Sequence, residues 1–171
     1  MRLDEFTEQN FDQLIQWINS EELNYLWGGP NYTFPLTHQK IRQHCSKQDV
    51  FPFLCTLKGQ NVGFVELIKK TDHHFRICRV FIAHQYRGQG LSAKMLNQLI
   101  AKARTEFNAT HLSLAVFEHN KAAKHCYESL GFKTVSIEKG TRSFRGENWD
   151  LVLMDKALTQ KTSKENALKE T

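Results

Sequence analysis

"AHQYRGQGLSAKM", residues 83–95, decides how the chain is read. It follows an apolar run, sets Gly88 and Gly90 two apart, and opens onto Leu91, Met95, Leu96, Leu99, Ile100 and Ala103, the one-sided stripe of an amphipathic helix. The stretch therefore reads as strand, turn and helix start. A helix N-terminus carries unpaired backbone amides and about half a positive charge, and side chains would obstruct a ligand approaching them. Glycine at 88 and 90 removes that obstruction, while Arg87 adds a fixed charge nearby. Such a turn can hold a phosphate or pyrophosphate. It can equally be a plain strand-to-helix crossing in which glycine serves geometry alone.

Upstream of the turn, "FPFLCTL" (51–57), "VGFVELIKK" (62–70) and "FRICRVFIA" (75–83) read as strands. The connectors "KGQN" and "TDHH" are short enough for antiparallel hairpins. Before them, Phe11, Leu14, Ile15 and Ile18 sit at helical spacing within residues 7–19. "SEELNYLW" reads as a second short helix stopped by "GGP", and Thr37 caps a third that runs through Cys45. Downstream, "HLSLAVF" (111–117) returns as a strand. A further helix with Ala123, Cys126, Tyr127 and Leu130 on one side ends at Gly131, which suits the left-handed position after a helix. "FKTVSIEK" (132–139) and "NWDLVLMDK" (148–156) close the sheet. "GTRSFRGEN" (140–148) between them reads as a mobile hairpin loop whose Arg142 and Arg145 face an acidic acceptor if they face one at all. The order predicts an α+β fold, a mixed three-layer α/β/α domain over 1–157, followed by a polar, frayed tail over 158–171.

The bulk properties narrow the function classes. A chain of 171 residues is about one domain long. No segment approaches the roughly 18 apolar residues of a membrane span. The opening "MRLDEFTEQNF" is acidic and lacks the apolar core of a secretory signal, so a cytoplasmic protein with no membrane partner is expected. The net charge is +5, but Lys and Arg are spread along the chain rather than clustered, so nucleic-acid binding is not expected. Four singly placed cysteines (Cys45, Cys55, Cys78, Cys126) read as reduced thiols. Histidines 38, 44, 73, 74, 119 and 125 show no recognised zinc spacing and read as surface or packing residues, so no metal is expected.

"GQGLSA" also fits the G-x-G-x-x-A dinucleotide fingerprint, with Glu118 at the end of the next strand as a ribose-binding acid. That would make the chain a nicotinamide-binding oxidoreductase. A dinucleotide fold needs a series of parallel β-α-β units after its fingerprint, yet only about 80 residues remain and the preceding strands are joined by hairpins.

Two motifs together resemble the GNAT superfamily of N-acetyltransferases. "QYRGQG" matches its Q/R-x-x-G-x-G/A signature with Gln85, Gly88 and Gly90 in register. "NKAAKHCYESLGF" is similar to its second motif, with Asn120, Tyr127 and the Gly131-Phe132 pair. The resemblance follows the element order over most of residues 1–157. "LWGGPNYTFPLT" with "VGFVEL" and "RVFIAHQYRGQG" is similar to a bacterial branch related to ribosomal-protein N-terminal acetyltransferases.

The resemblance implies a mostly antiparallel sheet of about six or seven strands with a splayed pair at a CoA site, and acetyl-CoA as co-substrate. It places Val80, Phe81 and Ile82 along the pantetheine arm, with the oxyanion donor among their amides. It places Gln85, Arg87, Gly88, Gln89, Gly90, Leu91 and Ser92 around the pyrophosphate, and Asn120 on pantetheine. Transfer to a primary amine, on a small molecule or a peptide N-terminus, would be direct. Dimers are common in that superfamily, so a homodimer is compatible with the resemblance. Tyr127 takes the position of the acid that protonates the departing thiolate; by periodicity alone it is a core residue. Asn120 is also a good N-cap, which excludes nothing. Glu66, a charge inside an apolar strand, reads either as the general base or as the cross-strand partner of Arg79. Trp27 and Gly28 read either as a helix stop with a buried indole or as one wall of the acceptor pocket. A catalytically silent CoA-binding domain would share all of these features.

Overall fold

The computed structural model describes residues 1–159. Seven strands form one sheet: β1 (Arg2–Glu5), β2 (Val50–Leu57), β3 (Gln60–Lys69), β4 (His74–Ile82), β5 (His111–Phe117), β6 (Lys133–Phe144) and β7 (Glu147–Ala157). The five α-helices are α1 (Phe11–Trp17), α2 (Glu21–Gly28), α3 (His38–Cys45), α4 (Leu91–Glu106) and α5 (Lys121–Ser129). The strand order is β1-β2-β3-β4-β5-β7-β6, and every neighbour pairs antiparallel except β4 with β5. This is the mixed α+β architecture expected of the sequence.

Period-two alternation assigns the two faces. On β3, Val65 and Leu67 join α4, α5 and the inner residues of β4, β5 and β7 in the larger core. Phe64 points the other way, with Leu54 and Phe81, into a second core closed by Phe11, Leu14, Trp27 and Ile41 of α1, α2 and α3. Phe64 is fully buried, which is worth about 1.5–3 kcal/mol of transfer free energy. A third cluster, Phe117, Trp149 and Leu151 with Tyr25 and Leu26, joins α2 to the far end of the same face. Two helix starts follow their sequence signals: Ser20 Oγ accepts from the Leu23 amide and Thr37 Oγ1 from the Lys40 amide, both at 3.2 Å.

One strand was not foreseen and two expectations change. Residues 2–5 are a strand, because the β2 edge offers them a ladder from Arg2 opposite Thr56 to Glu5 opposite Phe53. The loop expected over 140–148 is instead strand: β6 runs to Phe144 and β7 starts at Glu147, leaving only Arg145 and Gly146 in the turn, both at positive φ. Ordered packing continues past 157, where the Leu158 amide donates to the Thr110 carbonyl at 2.9 Å and its side chain is buried. The rest of the expected frayed tail, from residue 160 on, lies outside the described residues.

Candidate active site

The parallel pair β4–β5 is in register only from His74–His111 to Ile77–Leu114. Beyond it, β4 continues to Ile82 and β5 to Phe117 without pairing to each other. The two strands diverge, and their unpaired ends open a cleft of about 620 Å³, within the range of small-molecule sites.

A bulge sharpens the divergence on the β3 side. Phe64 lies opposite Phe81 and Glu66 opposite Cys78, so Arg79 and Val80 share the single partner position of Val65. Arg79 has φ +53°, an uncommon conformation for a bulky residue. Two contacts hold it there. Its Nη1 donates to Glu66 Oε2 at 2.6 Å, and its carbonyl accepts from Trp27 Nε1 at 2.9 Å. Burial works against the Arg79 charge, but the attraction of Glu66, with smaller help from Cys78, outweighs it and raises the pKa above the ordinary arginine value. Glu66 Oε2 is also 3.0 Å from His44 Nε2, while Oε1 has no hydrogen-bond partner among the described residues.

Glu66 thus takes the ion pair that was one of its two expected roles, and it does not line the cleft. A fully buried carboxylate paired to an arginine is poorly placed to accept a proton from anything bound there.

At the mouth, the glycine turn has the geometry its sequence suggested. Gly88 and Gly90 have φ of +73° and +71°, and a Cβ built on either would meet no protein atom within 4 Å. The N–H groups of Gly88, Gln89 and Gly90, with those of the first α4 turn, have no acceptor among the described residues. Arg87, which the resemblance placed at the pyrophosphate, contributes no free amide. The Arg87 N–H donates to the His84 carbonyl at 3.2 Å, and the Arg87 guanidinium turns back to the Ile82 carbonyl at 3.0 Å and over the Phe81 ring. Arg87 therefore braces the turn. Gln85 and Gln89 are exposed and absent from the lining, because the Gln89 amide folds back onto the Gln85 carbonyl at 3.4 Å.

Val80, Phe81, Ile82, Gly88, Gly90, Leu91, Ser92, Asn120 and Tyr127 all line the same cleft, as do Trp27 and Gly28 from α2. Asn120 caps α5 through the Ala123 amide at 3.4 Å. Tyr127 is buried; burial first, then the nearby Cys126 and Cys78 thiols, push its phenol well above the ordinary range, so it stays protonated at neutral pH. Sequence reasoning did not single out Arg76, Leu26, Ala115, Phe117 or Leu151, which also line the cleft. Arginines inside the apolar run "FRICRV" were the one legible signal among them. No group of three or more His, Cys, Asp or Glu side chains suited to a metal is found among the described residues. No described helix is long and apolar enough to cross a membrane.

Comparison with known proteins agrees with this geometry. A spermidine N-acetyltransferase from Vibrio cholerae, solved with CoA and spermine, superposes with a TM-score of 0.80 over 91% of this chain and 94% of that one, at 18% identity. A ribosomal-protein-alanine N-acetyltransferase from Brucella melitensis superposes at 0.75 over 92% and 100%, at 20% identity. By sequence, a thialysine N-epsilon-acetyltransferase of Sus scrofa is 31% identical over 68 residues, which are 40% of this chain and 39% of the relative. An uncharacterised N-acetyltransferase of Bacillus subtilis is 29% identical over 83 residues, 47% of this chain and 52% of that one. The chain thus spans about half or less of the curated relatives it matches. The family model described as "Acetyltransferase (GNAT) family" matches residues 11–132, which take in the glycine turn, the diverging strands and α5. The match runs well past half of the sequence, and the chain belongs to the acetyltransferase (GNAT) family.

Proposed function

We propose that the protein transfers acetyl from acetyl-CoA directly to a primary amine. The observation that carries this reading is the convergence on one cleft of the amide-lined turn, the unpaired ends of β4 and β5, and the Tyr127 phenol. Acetyl-CoA supplies a thioester: the amine nitrogen bonds to its acetyl carbon and the carbon–sulfur bond breaks. Free amides from Gly88 to the first α4 turn would hold the diphosphate. The bulged backbone near Val80 would offer a donor to the developing oxyanion. Tyr127 would protonate the departing thiolate.

The acceptor must first lose a proton, since an α-amino group titrates near 8 and a lysine-type amine near 10.4. No Asp, Glu or His lines the cleft among the described residues, while four arginines do, and of these only Arg79 is neutralised by a close carboxylate. Nearby positive charge disfavours the ammonium form. We therefore propose that the amine sheds its proton to water under that field and that Glu66 serves as a positioning residue through Arg79.

The test is thiol release from acetyl-CoA across amines, polyamines, aminoglycosides and N-terminal peptides. Turnover with at least one class is expected. Saturable CoA binding with no turnover on any class would instead identify a silent CoA-binding domain.

A further inference from the structure

Resting on the acetyl-transfer reading, we infer that the acceptor is a small amine that also carries a carboxylate, held at its acidic end by Arg142. Among the described residues, the charged ones that line the cleft are Arg76, Arg79, Arg87 and Arg142, with no acidic residue beside them. They are not equivalent. Arg79 is neutralised by Glu66 at 2.6 Å. Arg87 stands at the diphosphate turn with its guanidinium on the Ile82 carbonyl. Arg142 and Arg76 are left.

Arg142 reaches the cleft from the β6–β7 hairpin. It sits on β6 opposite Trp149, and its hairpin is pinned to α2: the Ser143 amide donates to the Tyr25 hydroxyl at 3.2 Å, and Arg145 pairs with Glu21 at 3.1 Å. The guanidinium itself is poorly satisfied. Its nearest carboxylate, Glu138, is 3.9 Å away, and its two hydrogen bonds, to the Thr141 carbonyl and hydroxyl, are 3.3 and 3.5 Å long. Its side chain is about one-third exposed, so it is accessible and free to take a better partner. Arg76, on β4, is partly buried and forms no ion pair among the described residues, which adds to the positive field.

The lining also holds the apolar side chains Leu23, Leu26, Trp27, Phe117 and Leu151, of which Leu26, Phe117 and Leu151 cluster with Trp149, the cross-strand partner of Arg142. This arrangement suits an amine joined by a short hydrocarbon stem to a carboxylate, which an arginine fork receives in two parallel hydrogen bonds. A polyamine would bring further positive charge into a cleft lined by no carboxylate among the described residues, and like-charge juxtaposition is costly.

The experiment compares kcat/KM at saturating acetyl-CoA for pairs matched except for the acid: lysine against 1,5-diaminopentane, and 4-aminobutyrate against butylamine, with spermidine as the polycation. The carboxylated member of each pair is expected to be favoured by about tenfold or more, the usual strength of a charged hydrogen bond. R142Q should bring that ratio close to one, and R142K should retain part of it. Equal rates within pairs, or a preference for spermidine, would overturn the carboxylate assignment while leaving acetyl transfer standing. A ratio that survives in R142Q would overturn the role of Arg142. Thiol release with none of these amines or the wider acceptor classes, alongside saturable CoA binding, would overturn acetyl transfer itself and the inference with it.

Discussion

Arg79 Nη1 lies 2.6 Å from Glu66 Oε2, and both side chains are almost wholly out of water, at 3% and 0% exposure. This contact ties the bulge of β4 to β3 and holds Arg79 at positive φ. Breaking a buried pair from one side leaves an uncompensated charge, which costs about 3–5 kcal/mol. Glu66→Ala is therefore expected to lower the urea midpoint sharply. The double variant Glu66→Leu/Arg79→Met, which removes both charges, should recover most of that stability without recovering kcat, because the bulge is no longer pinned. Recovery of both would show that the pair has no positioning role.

Tyr127→Phe keeps the ring in the core and removes the proton donor. General-acid contributions are typically about 10²–10⁴-fold, so kcat should fall by at least about tenfold with CoA affinity and urea midpoint nearly unchanged. Because burial raises the phenol well above its ordinary range, the wild-type rate should show no alkaline fall from loss of this acid across the neutral and mildly alkaline range. Undiminished turnover in the variant would assign the proton to water.

Valine at position 90 would meet φ +71°, a conformation that costs a side-chain-bearing residue about 1–2 kcal/mol. Its branches would also project into the open space above the turn. Gly90→Val should lose that much stability and at least about tenfold in CoA affinity, measured by calorimetry at a temperature where the variant is folded. Wild-type affinity would mean the turn holds no diphosphate.

Buried thiols set an alkaline limit. Burial pushes Cys45 up to about 12 and Cys55 up to about 11, from an ordinary value of 9.0. Their folded pKa values lie above the unfolded ones, so their contribution to stability is fully present below about pH 9 and is lost as pH rises toward 11–12. The urea midpoint should hold up to about pH 9 and fall above it. In Cys45→Ser/Cys55→Ser that fall should be shallower.

How much of this was legible in the sequence follows from the range of each interaction. The turn at 88–90, the Thr37 cap and the α5 stripe with Tyr127 rest on contacts within a few residues, and spacing reveals those. The edge strand at Arg2–Glu5 and the long β6–β7 hairpin depend on partners that local pattern does not name. Glu66 shows the boundary most clearly. Its charge inside an apolar strand was visible and Arg79 was a visible partner, but only the folded sheet shows that Glu66 itself is kept out of the cleft lining and that His44, 22 residues away, joins it. Arg142 looked like a loop residue until Tyr25 and Glu21 were seen to hold its hairpin against α2.

The most direct test of the central claim is a backbone amide titration with CoA followed by NMR. Saturable shifts should be largest at Gly88, Gln89, Gly90 and the first α4 turn, with a second group along Val80–Ile82 and at Asn120. Saturable binding that leaves those amides unmoved, or an absence of saturation altogether, would contradict it.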